Sequence, residues 1–147
     1  MGIRLSVPLV YQRESMECWY ASACMVAYFR RPGPRLGLPD KWKANRGITP
    51  ADFVDLAKAE GMAPVRFRAG SMSEGELETL LKSYGPLWCA GHWDGVGHIV
   101  VLTGVDGGKV FINDPSPYQG QRVETLSWFD HRLDKRLSGC LMYSPAG

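Results

Sequence analysis

The spacing of apolar positions changes character near residue 86. Before it, apolar and small residues recur at helical intervals. Trp19, Ala23, Val26 and Ala27 predict a helix from about Cys18 to Phe29, packed against the core, with Pro32-Gly33-Pro34 ending it. Residues 31–48 hold no sustained period and are broken by Gly33, Gly37, Gly47, Pro32, Pro34 and Pro39, which predicts a loop with one helical turn near Trp42. A second helix is well punctuated. Thr49 reads as its N-cap, Pro50 takes the first helical position, Asp52 lies in the first turn, Phe53, Leu56 and Ala57 share a face, and Gly61 closes it. In a third, Ser73 and Glu76 form a capping box, Leu77, Leu80, Leu81 and Tyr84 make the apolar stripe, and Gly85-Pro86 stops it.

From Leu87 onward the runs are short and rich in β-branched or aromatic residues. Leu87–Ala90, His98–Val105, Lys109–Asn113 and Cys140–Tyr143 are predicted strands, and Val7–Val10 is a short extended segment. Gly104-Val105-Asp106-Gly107-Gly108 has the composition of a tight hairpin connection, so the strand from His98 should pair antiparallel with the one ending at Asn113. The fold class is α+β, with a helical part at about 15–85 and a sheet part at about 86–147 within one domain, residues 1–147. No repeat, linker or low-complexity tract divides it.

Composition narrows the functional classes. At 147 residues, 45% hydrophobic and 22% charged, the chain is long enough to bury a real core and reads as soluble and globular. A formal charge of +2, from 17 basic and 15 acidic residues with no basic run interleaved with aromatics, argues against nucleic acid or an acidic membrane surface as partner. The N-terminus lacks the long apolar core of a signal peptide, and no stretch approaches the roughly 18 apolar residues of a membrane span. The expected location is the cytoplasm, or a target cell reached through a specialised secretion system. Cys18, Cys24, Cys89 and Cys140 show neither paired spacing nor a metal-binding cluster, so free thiols and no metal or other cofactor are expected. Cys18 and Cys24 on one helix would lie about 9 Å apart, beyond disulfide reach.

Cys18 stands apart from the other three. A thiol is a useful nucleophile only as thiolate, which a helix N-terminus and a neighbouring imidazolium both favour, and Cys18 has the first by position. The imidazole must come from His92, His98 or His131. His98 opens a strand whose hairpin partner ends at Asn113-Asp114. Positions 98 and 114 are symmetric about position 106, so their side chains are expected to meet across the pair, letting Asp114 orient the ring. His92 stays a rival base, His131 reads as structural, and Asn113-Asp114-Pro115 could be nothing more than a turn, a reading the pairing with His98 disfavours. Gln12, just before the helix, offers a side-chain amide beside the Cys18 N–H for a developing oxyanion. Cys24, Cys89 and Cys140 read as small buried hydrophobes, and Trp93 as a core or cleft-wall aromatic.

These residues resemble the papain-like cysteine peptidases: Gln12 six positions before Cys18-Trp19-x-Ala21-Ser22, then Gly97-His98, then Asn113-Asp114-Pro115. Gly85-Pro86-Leu87 together with Gly97 to Gly104 and Ile112 to Pro115 is similar to a small bacterial branch holding double-glycine leader peptidases and secreted papain-like effectors. The resemblance runs over roughly residues 7–115, in outline only between 31 and 72. It implies a site in a cleft between the helical part and the sheet. It also implies a cysteine endopeptidase acting on a protein or peptide through Cys18, His98 and Asp114, with Gln12 at the oxyanion. Tyr20 stands where small residues are common in the family, and Asp114 where many relatives have Asn. The absence of a transporter domain leads us to expect a stand-alone effector or toxin domain, with a cognate inhibitor as possible partner. Acyl transfer or deamidation on the same residues, and a non-catalytic peptide-binding module, are the alternative expectations.

Overall fold

The computed structural model describes residues 2–13, 17–30, 50–59, 61–67, 70–95 and 97–145. The expected loop at 31–48, the helical turn near Trp42 and the Thr49 cap lie outside these residues. Three helices precede the main strands: α1 (Cys18–Arg30), α2 (Pro50–Ala59) and α3 (Glu74–Tyr84). From Cys18 to Val26 every residue of α1 is buried, because it is a central helix covered on all sides rather than an amphipathic one on the surface. It packs on α2 and on the middle of the sheet. The α3 capping box forms as its sequence dictates: Ser73 Oγ accepts from the Glu76 N–H, and Glu76 Oε1 accepts from the Ser73 N–H. Leu77 and Leu81 are its buried stripe.

The strands are β1 (Ile3–Arg4), β2 (Ala63–Pro64), β3 (Leu87–Gly91), β4 (His98–Asp106), β5 (Lys109–Asp114), β6 (Gly120–Thr125) and β7 (Leu141–Tyr143). They form one antiparallel sheet in the order β2-β7-β3-β4-β5-β6, and β1 continues the β3 side of β4. The central strands β3 and β4 are almost wholly buried, which explains their unbroken apolar runs. A short helix, α4 (Leu126–Arg132), follows β6, capped by the Thr125 hydroxyl. Four of the strands match the expected runs to within a residue or so. β1, β2, β6 and α4 had no expectation: β1 and β2 are two-residue bridges, α4 is too short to show a period, and β6 has no buried apolar residue.

The hairpin register departs from the expectation in a way that matters for the site. The turn is Gly107-Gly108, between Asp106 and Lys109, and both glycines take positive φ. An irregularity between Leu102 and Gly104 then shifts the pairing, so that Val101 faces Asn113. Gly104 is required there, because a Cβ would stand 2.7 Å from the Ile3 carbonyl oxygen of β1. Asp114 is therefore level with Val100, not with His98, whose Cα partner is Gly91 on β3. The two side chains still share a face, two residues apart, and meet on the diagonal.

Candidate active site

Cys18 is the first residue of α1. The Glu17 carbonyl accepts the first helical bonds from the Tyr20 and Ala21 N–H groups, both at 3.0 Å, so the Cys18 amide lies in the first turn, before the intrahelical bonds begin. The buried Glu17 carboxylate reaches back to the Arg13 N–H at 3.1 Å, folding the segment that bears Gln12 against the helix start. From the other side the Gln12 N–H donates to the Pro115 carbonyl at 2.9 Å, setting Gln12 beside the end of β5. Two longer-range bonds fix the helix to the sheet. Ser22, one turn after Cys18, donates to the Ile99 carbonyl at 3.4 Å, and Trp88 Nε1 donates to the Trp19 carbonyl at 3.0 Å. The start of α1 is thus pinned directly beside His98.

His98 Nε2 lies 2.7 Å from Asp114 Oδ1, and the Cys18 side chain is near enough to interact with the ring. With Nε2 taken by the carboxylate, Nδ1 is the nitrogen left for the sulfur. Burial alone would push the His98 pKa down. The bond to Asp114 and the interaction with Cys18 outweigh it and raise the value to about 9. Asp114 is fully buried, which by itself would raise its pKa, but bonds to His98, the Ser116 N–H and Arg122 hold it below the usual carboxylate range. The Ser116 bond, 2.9 Å to Oδ1, closes an Asx turn, and the same oxygen also faces His98, so the segment is a turn but not only a turn. Asn113 turns the other way and donates to the Val7 carbonyl at 3.1 Å.

All four expected site residues therefore sit where the helical part meets the sheet. His92 is exposed, and the carboxylate engages His98. His131 is exposed near Ser127, and Trp93 is core, stacked on Phe129 and Trp128. The four cysteines are buried, and none is in a disulfide. Cys89 and Cys140 have thiols pushed up by burial, Cys140 to about 12.

One residue next to the site escaped sequence reasoning. Arg122 on β6 donates Nη1 to Asp114 Oδ2 at 2.9 Å, and forks onto Asp94 at 2.9 and 3.1 Å. Its Nε and Nη2 reach Glu124 at 3.2 and 3.0 Å. Asp114 faces Gly120 in the β5–β6 register, so Arg122 reaches it diagonally too. The only sequence signal was Arg122 and Glu124 alternating on one face of a polar stretch, which does not announce a strand.

Known proteins share this fold. A solved double-glycine motif protease from an AMS/PCAT transporter, in complex with its leader peptide, superposes with a TM-score of 0.56 at 24% identity, covering 95% of this chain and 91% of that one. The peptidase domain of Streptococcus mutans ComA gives 0.55 at 19%, covering 93% and 98%. Both share the fold. The Escherichia coli colicin V secretion/processing ATP-binding protein CvaB is 32% identical over 112 residues, which is 75% of this chain and 15% of that protein's length. Residues 1–134 match the family described as papain-like cysteine protease AvrRpt2. The match spans the Gln12 segment, the start of α1, the β4–β5 hairpin and Arg122, and the chain belongs to that family of papain-like cysteine proteases.

Proposed function

We propose that the protein hydrolyses a peptide bond in a specific protein or peptide target, with Cys18 as nucleophile, His98 as general acid and base, Asp114 as the orienting carboxylate and Gln12 as an oxyanion donor. The observation that supports this best is the single ring of His98, bonded to Asp114 through Nε2 and also interacting with Cys18. The Cys18 thiolate attacks the carbonyl carbon, and the carbonyl π pair moves to oxygen, where the Cys18 N–H and the Gln12 side-chain amide can receive it. The C–N bond then breaks as the imidazolium gives its proton to the leaving amine. The neutral ring next takes a proton from water, whose oxygen attacks the thioester, and the thiolate leaves as the acid product forms.

Two biological settings follow. In the first, the chain is a single peptidase domain that cuts a host or competitor protein as an effector or toxin, opposed by a cognate inhibitor. The second is leader removal from an exported peptide, favoured by the double-glycine protease and CvaB likenesses. The test of the chemistry is to treat a proteome-derived peptide library with the wild-type chain and with Cys18→Ala, and to read the products by mass spectrometry. New termini made by the wild type alone are expected. Intact peptides with a shifted mass would replace hydrolysis by acyl transfer or deamidation, and unchanged peptides together with slow labelling of Cys18 by a thiol-reactive epoxide would leave only a binding module.

A further inference from the structure

We infer that Arg122 is a positioning residue for the reaction, supplying the cation that keeps Asp114 ionised and aimed at His98. The inference rests on the catalytic roles proposed above. Asp114 is completely buried, and a carboxylate so placed must be paired or it takes up a proton. Its two oxygens are divided: Oδ1 serves His98 and the Ser116 N–H, while Oδ2 is held by Arg122. Arg122 has only 11% of its side chain exposed and has little freedom to leave. Asp94 grips it bidentately, Glu124 takes two further donors, and its guanidinium lies 5.0 Å from the Trp128 ring centre.

The titratable and charged groups around Asp114 are His98 from β4, with Cys18 from α1 behind it, and Arg122 from β6. Arg122 is faced in turn by Glu124 on its own strand and by Asp94 from the segment between β3 and β4. The cation thus does for a carboxylate what a neutral side chain would make unnecessary. It cancels the buried charge and leaves a fixed acceptor for the imidazole. Asp94 also ties the segment leading into His98 to the same guanidinium, so ring and carboxylate are anchored to one group.

The experiment measures the pH dependence of Cys18 alkylation by iodoacetamide in the full chain, for wild type, Arg122→Met, Arg122→Lys and His98→Ala. Without the cation the Asp114 pKa rises, so the acid limb of the profile should move up by about one pH unit or more in Arg122→Met. Arg122→Lys should hold the limb near its wild-type position while slowing peptide hydrolysis, since charge is kept and the fork is lost. An unmoved limb in Arg122→Met, with His98→Ala still abolishing fast labelling, overturns the role of Arg122 and leaves the triad standing. An unchanged labelling rate in His98→Ala overturns the triad itself. Should Arg122→Met not fold, it is examined beside Asp114→Asn, where no buried charge needs balancing. Folding of the double variant supports the inference, and its failure to fold where Asp114→Asn alone folds overturns it.

Discussion

Cys18 and Cys89 are equally hidden, at 2% and 0% exposure, yet their surroundings differ in kind. Cys89 lies in the middle of β3, where burial pushes its thiol far above the usual range and its Sγ–H donates to the Leu87 carbonyl at 3.3 Å. Cys18 begins a helix and faces an imidazole held by a buried carboxylate. Burial alone therefore does not distinguish the two thiols. The polar groups that burial encloses do, because a low-dielectric setting penalises a lone charge and strengthens its attraction to an opposite one.

That contrast should be largest in reactivity. Each pKa unit above the working pH lowers the thiolate fraction tenfold, and Cys140 stands at about 12. In the native protein near pH 7, iodoacetamide should modify Cys18 at least ~10³ times faster than Cys24, Cys89 or Cys140. The rates are read by peptide mass spectrometry after a timed quench. His98→Ala should bring Cys18 close to the others, and comparable rates for all four cysteines in the folded wild type would erase the distinction.

A smaller loss is expected at the oxyanion. Gln12→Ala should lower kcat by about 10²–10³ and leave the alkylation rate of Cys18 nearly unchanged, because in the proposed mechanism the amide serves an oxygen that forms only during acylation. A parallel fall in both rates would show instead that Gln12 supports the helix start.

The pH dependence separates the two chemistries. His98 is raised above the ordinary imidazole value of 6.5 to about 9, so the proton that the proposed mechanism gives to the leaving amine is lost as pH rises through about 9. Peptide hydrolysis should then fall up to tenfold per pH unit, while alkylation, which needs no acid, holds its rate. The same raised value contributes stability that is fully present below the ordinary imidazole range and is lost as pH rises through about 9, which urea melts at pH 6 and pH 10 would detect.

The same contrast explains what could be read from the chain. That Cys18 starts a helix and that His98 and Asp114 meet was legible because helix starts, hairpins and strand ends leave local marks such as the Gly107-Gly108 turn and the apolar run after His98. Their register was not, since the irregularity at Leu102–Gly104 answers to β1 crossing at Ile3, a contact about a hundred residues away in sequence. Arg122 was not legible either. An edge strand needs no buried apolar face, so Gln121, Arg122 and Val123 look like loop, and the value of the guanidinium comes wholly from the three carboxylates that the fold brings to it.

The smallest expected effect lies at the inert end of the comparison. Cys89→Ala removes one sulfur from a fully buried site and its weak bond to the Leu87 carbonyl, leaving a void smaller than that of a deleted leucine. The cost should be about 1–2 kcal/mol, below the range for Leu→Ala in a core, and the melting temperature should fall by a few degrees. Peptide hydrolysis measured well below that temperature should match the wild type. A Cys89→Ala chain that folds normally but loses kcat would mean that the thiol in the middle of β3 reaches the site through Val100, its partner on β4, and the separation between the two cysteines would have to be redrawn.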